Sequence, residues 1–221
     1  MFKTNLLIII SLLFFLTGCK KEENISNPAN SYWPLEIGNK WDFNFQSVEN
    51  IDVPANYLHQ SIKVIGNQEI DGRDYFKLKY LSNVIDNNIN SNVFVREDTT
   101  GLFLRMHNHY EGAPSDMFEL NILNNNPSVG DVWEETKSIY YNSPINDIIE
   151  THYTYEVKDI YPSFEVNGES YPDVVRVSIQ SESRYNGLYR VNISYMFFSY
   201  NIGPVKILLD GNYYIESYDL Q

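Results

Sequence analysis

The chain has 221 residues, with 16 Lys and Arg against 29 Asp and Glu, a formal charge of −13 at neutral pH. Such a surface repels polyanions, which excludes an ordinary nucleic-acid binder. Apolar residues make up 43% and charged residues 20%, the composition of a folded chain of one domain or two small packed ones. The single cysteine excludes an intramolecular disulfide, a multi-cysteine zinc site and an iron–sulfur cluster.

Residues 1–18 predict a signal peptide: Lys3 near the start, then an apolar run from Leu6 to Leu16. The run is too short for a bilayer span, which needs about twenty residues. Its end, Leu16-Thr17-Gly18-Cys19, resembles the bacterial lipobox. That resemblance implies cleavage before Cys19 and acylation of its sulfur, which makes Cys19 the lipid-attachment residue. Two or three acyl chains anchor stably, because each buried methylene contributes about 0.8 kcal/mol. Residues 19–31 then read as a flexible tether, with Lys20, Lys21, Glu22 and Glu23 followed by Asn, Ser, Pro and Ala. Lys rather than Asp after the cysteine resembles the sorting of outer-membrane lipoproteins. Lys followed by two acids resembles the export signal of surface lipoproteins in the Bacteroidetes. The expected location is the outer membrane, lipid-anchored, on the cell surface or the periplasmic face.

From residue 32 to 221 the dominant period is two. Trp41, Phe43 and Phe45 alternate with polar residues, as do Phe76, Leu78 and Tyr80, and Val175, Val177 and Ile179. Tyr189, Val191, Ile193, Tyr195 and Phe197 read as the inward face of a longer strand, with Arg190, Asn192 and Ser194 facing water. Turn pairs punctuate these runs at Asp71-Gly72, Asn167-Gly168, Asn186-Gly187 and Asp210-Gly211. The pattern predicts an all-β, antiparallel protein of ten to fourteen strands, with at most a short helix near Ser115 to Leu123.

The chain also repeats itself. Gly38 and Trp41 recur as Gly130 and Trp133, Asp71-Gly72 as Asn167-Gly168, and the segment centred on Gly101 as the one centred on Gly203. Two similar units, about 33–112 and 126–210, are therefore expected within one continuous sheet or facing each other as a clam. The segments Tyr32-Trp33-Pro34-Leu35, Gly38-Asn39-Lys40-Trp41, Val129-Gly130-Asp131-Val132-Trp133 and Gly203-Pro204-Val205-Lys206 resemble a group of uncharacterised Bacteroidetes lipoproteins. The resemblance implies a curved antiparallel sheet, a half-barrel whose concave face holds a ligand. It brings no catalytic residue with it.

Candidate chemistry is sparse. His107, His109 and Glu111 would share one face of an extended strand, and two imidazoles with a carboxylate suit zinc or another transition metal. His59 and His152 are the remaining histidines. Cys19 is taken by the anchor, no Gly-x-Ser-x-Gly elbow exists, and Glu134 and Glu135 point to opposite sides of a strand. Tyr32, Trp33, Tyr140, Tyr141, Tyr153, Tyr155, Tyr213 and Tyr214 offer either an aromatic platform for sugars or peptides, or cross-strand packing. Asp98-Thr99-Thr100 resembles a short Bacteroidetes O-glycosylation acceptor motif. These observations favour a non-catalytic binding or structural module on the envelope, with no cofactor implied. The alternatives are a carrier of lipids or other hydrophobic ligands, which needs an apolar cavity, and a glycan- or peptide-acting hydrolase, which needs converging acids or histidines. Expected partners are the membrane, through the anchor, and a glycan, peptide or lipid ligand, with no nucleic acid.

Overall fold

The computed structural model describes residues 31–46, 59–82, 92–106, 118–141, 147–185, 188–208 and 212–219. Strands β1 (Lys40–Gln46), β2 (His59–Ile70), β3 (Arg73–Ser82), β4 (Asn92–Glu97), β5 (Gly101–Met106) and β6 (Phe118–Asn124) form the first half. The second half holds β7 (Val132–Tyr141), β8 (Asp147–Val166), β9 (Glu169–Tyr185), β10 (Leu188–Ser199), β11 (Gly203–Leu208) and β12 (Asn212–Asp219). All twelve belong to one sheet, in the order β6-β5-β4-β3-β2-β1-β12-β11-β10-β9-β8-β7. Every strand pairing among the described residues is antiparallel. Each half is a six-strand meander, and the ladder from Lys40↔Asp219 to Gln46↔Asn212 joins them in the middle.

The two halves share their local devices. Gly38 N donates to Val64 O and Val64 N to Asn39 O, both at 2.9 Å. In the second half Gly130 N donates to Val157 O at 2.9 Å and Val157 N to Asp131 O at 3.0 Å. Gly38 (φ 109°) and Gly130 (φ 91°) both take backbone conformations that L side chains resist. The β2–β3 turn has Asp71 at φ 53° and Gly72 at 74°, and the β8–β9 turn has Asn167 at 53° and Gly168 at 84°. Positive φ at both central residues gives these hairpins the twist that their strands need. The all-β sheet of two similar units expected from the sequence is thus what the chain forms.

One face of the sheet carries the core. Trp41, Phe43, Ile62, Val64, Phe76, Leu78, Val93 and Val95 from the first half meet Tyr155, Val157, Val175, Val177 and Phe198 from the second. The segment before β1 plugs this core with Trp33 and Leu35, both fully buried, each contributing roughly 1.5–3 kcal/mol. Trp33 stands edge-on to Trp41, with centroids 5.9 Å apart. Asn201 N donates to Ser31 O at 2.7 Å, which pins the segment to the β10–β11 turn.

Two expectations need correction. No helix occurs among the described residues, and Phe118–Asn124 is strand β6, which pairs with β5 from Met106↔Phe118 to Gly101↔Asn124. Cross-strand burial of Leu120, Ile122 and Leu123 outweighs the helical preference of the local Glu and Leu. On β10, Tyr189, Val191 and Ile193 face solvent, and burial begins only at Met196.

The outer strands β6 and β7 share no backbone ladder among the described residues, yet side chains bridge them. Trp133 Nε1 on β7 donates to Asn121 O on β6 at 2.7 Å, and Asn121 N donates to Glu135 Oε1 at 3.1 Å. The sheet therefore curls until its two edges meet.

Candidate functional site

The second half offers a solvent-open groove of about 750 Å³ lined by Thr136, Glu150, His152, Glu182, Ser183, Arg184 and Tyr189. It crosses four strands, and register builds it: Thr136 on β7 faces His152 on β8, and His152 faces Glu182 on β9. Period-two alternation turns these side chains away from Tyr155 and Val157, which lie in the core. Thr136 Oγ1 lies 3.2 Å from His152 Nδ1, and Glu134 reaches within 3.8 Å of His152 Nε2.

Glu182 organises the floor. Its carboxylate accepts from the Tyr189 hydroxyl at 2.5 Å and from Gln180 Nε2 at 2.7 Å. These bonds, with the charges of His152 and Arg184, hold its carboxyl below the usual range and outweigh desolvation. The same bond raises the Tyr189 phenol. Arg184 lies 5.6 Å from the Tyr189 ring centroid. The groove thus offers one exposed aromatic face beside carboxylate acceptors, a guanidinium donor and hydroxyls.

The other polar clusters tie strands together. Arg96 donates to Glu119 through Nε and Nη2, each at 2.9 Å, and its guanidinium lies 3.7 Å from the Phe103 ring centroid. Arg73 and Tyr75 donate to the same carboxylate. At the seam, Tyr155 donates to Glu135 Oε1 at 2.7 Å and stacks on Trp133, with centroids 5.3 Å apart and planes within 2°. Burial, then the bond and charge of Glu135, push the Tyr155 phenol well above its ordinary value.

Of the residues expected from the sequence, Cys19 and the trio His107, His109 and Glu111 lie outside the described residues. No group of three or more His, Cys, Asp or Glu side chains fit to hold a metal occurs among the described residues. Trp33 and Tyr155, read as platform candidates, are core residues. Glu134 and Glu135 do separate across β7: Glu135 turns to the seam and Glu134 to His152. In Asp98-Thr99-Thr100, the Asp98 carboxylate accepts from Thr100 N at 2.7 Å and Thr100 Oγ1 at 2.6 Å, so these residues form a compact exposed turn between β4 and β5. Sequence reasoning missed the groove as a unit. Its one signal was that His152 lies on the opposite side of β8 from Tyr153 and Tyr155.

No family profile and no curated protein matches the chain. Two solved structures do. A "putative lipoprotein" from Parabacteroides distasonis ATCC 8503 aligns with a TM-score of 0.48 and 14% identity, over 87% of this chain and 100% of its own. A "putative exported protein with YmcC-like fold" from Bacteroides fragilis NCTC 9343 aligns with a TM-score of 0.39 and 10% identity, over 85% of this chain and 98% of its own.

Proposed function

We propose that the chain is an outer-membrane lipoprotein anchored through Cys19, and that its sheet is a rigid, non-catalytic binding module whose β7–β10 groove takes a glycan. The observation that carries this reading is the groove itself, in which Tyr189 shows its ring to solvent while Glu182 fixes its hydroxyl. A sugar ring stacks its C–H face on such an aromatic surface, and its hydroxyls find paired acceptors and donors in Glu182, Glu150 and Arg184. The core favours this reading over a lipid carrier, because Trp41, Phe43, Tyr155 and Phe198 are fully buried within one apolar cluster of the described residues. The anchor rests on the charged start, the short apolar run and Gly18-Cys19.

Two measurements test it. Cys19→Ala is expected to move the protein from the membrane fraction to the soluble one, and a variant that still sediments with membranes refutes the anchor. Native mass spectrometry of the protein purified from its own host is expected to find a saccharide adduct that Tyr189→Ala loses. An acyl-lipid adduct that survives Tyr189→Ala would make the protein a carrier instead.

A further inference from the structure

We propose that two copies of this chain pair through the outer edge of β10, antiparallel, with Val191 on the twofold axis. The strand is longer than one of its neighbours. β9 pairs along all of Leu188–Ser199, but β11 reaches only from Tyr195 to Ser199. β11 ends at Leu208, where β12 returns beside it through Leu208↔Asn212. Among the described residues, the edge of residues 188–194 therefore has no partner strand. Its apolar side chains are exposed: Leu188 by 61%, Tyr189 by 55%, Val191 by 43% and Ile193 by 53%. A free edge flanked by such residues is a template for another strand. Native edges are usually blunted by Lys, Pro or a bulge. Leu188-Tyr189-Arg190-Val191-Asn192-Ile193-Ser194 contains neither residue, and its register with β9 runs without a shift.

Charge and symmetry identify the occupant as a second copy. At −13, two chains repel over most of their surface, but residues 188–194 carry no acid and only Arg190 as a charge. Val191 is the middle of the free window, so an antiparallel pair centred there uses the whole of it. Leu188 then faces Ser194, Tyr189 faces Ile193, Arg190 faces Asn192, and Val191 faces itself. Each copy contributes one aromatic and β-branched pair, and no like charges stand opposite. A shift along the edge drives one strand end against Leu208, where β11 already occupies it. Tyr189, Val191 and Ile193 share one face, so the pair joins them into a single stripe across the axis. Such a self-complementary contact uses the same edge on both copies and closes as a dimer. Tyr189 also lines the groove, so the pairing sets the second copy's Ile193 beside the groove's aromatic wall; Val191 is not among the groove's lining residues, so a test at Val191 separates the two readings.

Disulfide mapping of the full chain in its membrane tests the register. Val191→Cys is expected to form a covalent dimer on mild oxidation, because only the axial residue meets its own copy. Tyr189→Cys and Ile193→Cys stay single when alone, since same-numbered positions lie about 13 Å apart, but link when coexpressed. The unsubstituted chain reports any background from Cys19. Light scattering of the detergent-extracted protein should fall from two chains to one in Val191→Lys. The proposal fails if Val191→Cys does not cross-link, if all three positions self-link equally, or if the cross-linked partner is another protein.

Discussion

Glu119 shows how much one carboxylate can hold. It sits on β6 and accepts from Arg73 and Tyr75 on β3 and from Arg96 on β4, so a single side chain fastens three strands. Burial alone would raise its carboxyl. The bonds from Arg96 and Tyr75 and the charges of Arg96 and Arg73 outweigh burial and hold it below the usual range. A carboxyl depressed by folding stabilises the protein above the unfolded Glu pKa, and that stability is lost as pH falls through the folded one. Glu119→Gln is therefore expected to cost about 2 kcal/mol at neutral pH, since it leaves the well-buried Arg96 half-paired. The cost should shrink in acid, where the parent carboxyl is itself protonated. Urea unfolding at neutral and at acid pH measures both, and an equal loss at the two would contradict the ion-pair reading.

Among the elements, β6 and β7 are the informative pair, because they meet without a ladder. Two side chains of β7 stand in for one: Trp133 supplies the missing N–H and Glu135 the missing acceptor, both to the backbone of Asn121. Glu135→Ala should cost roughly 1–3 kcal/mol and speed exchange of the Asn121 amide, while the amides of the β1–β12 ladder keep their protection. Hydrogen–deuterium exchange separates local opening from global loss. The strands themselves were legible where neighbours lie close in sequence. Asp71-Gly72 and Asn167-Gly168 marked hairpins because only two residues separate the strands. The helix expected near Ser115 to Leu123 gives way to β6 because Glu119 and Leu120 suit a helix until β5 provides a partner. Alternation on β10 was visible, but which face would be buried depends on where β11 stops, and Leu208 carries no local sign of that. The groove depends on the register of β7, β8, β9 and β10 together, so Thr136, His152, Glu182 and Tyr189 stayed unrelated in the sequence.

At the scale of the molecule, β1 and β12, the first and last of the described strands, lie side by side in the middle of the sheet, and the side-chain-bridged edges are β6 and β7, the middle strands in chain order. Read from β7 across to β6, the described strands form a plain meander, with β1 following β12 halfway along it. Tension applied at residue 31 passes through the buried segment of Trp33 and Leu35 into β1, which β2 and β12 grip from both sides. A pull along that strand loads its rungs together, in shear, whereas a pull on an outer strand would peel rungs one after another. Single-molecule stretching between residue 31 and Asn212, which lies at the opposite end of the β1–β12 ladder from Lys40, should give one high unfolding force, and attachment at residue 131 at the head of β7 a low, stepwise one. A load along β1 thus falls on the ladder that joins the two halves.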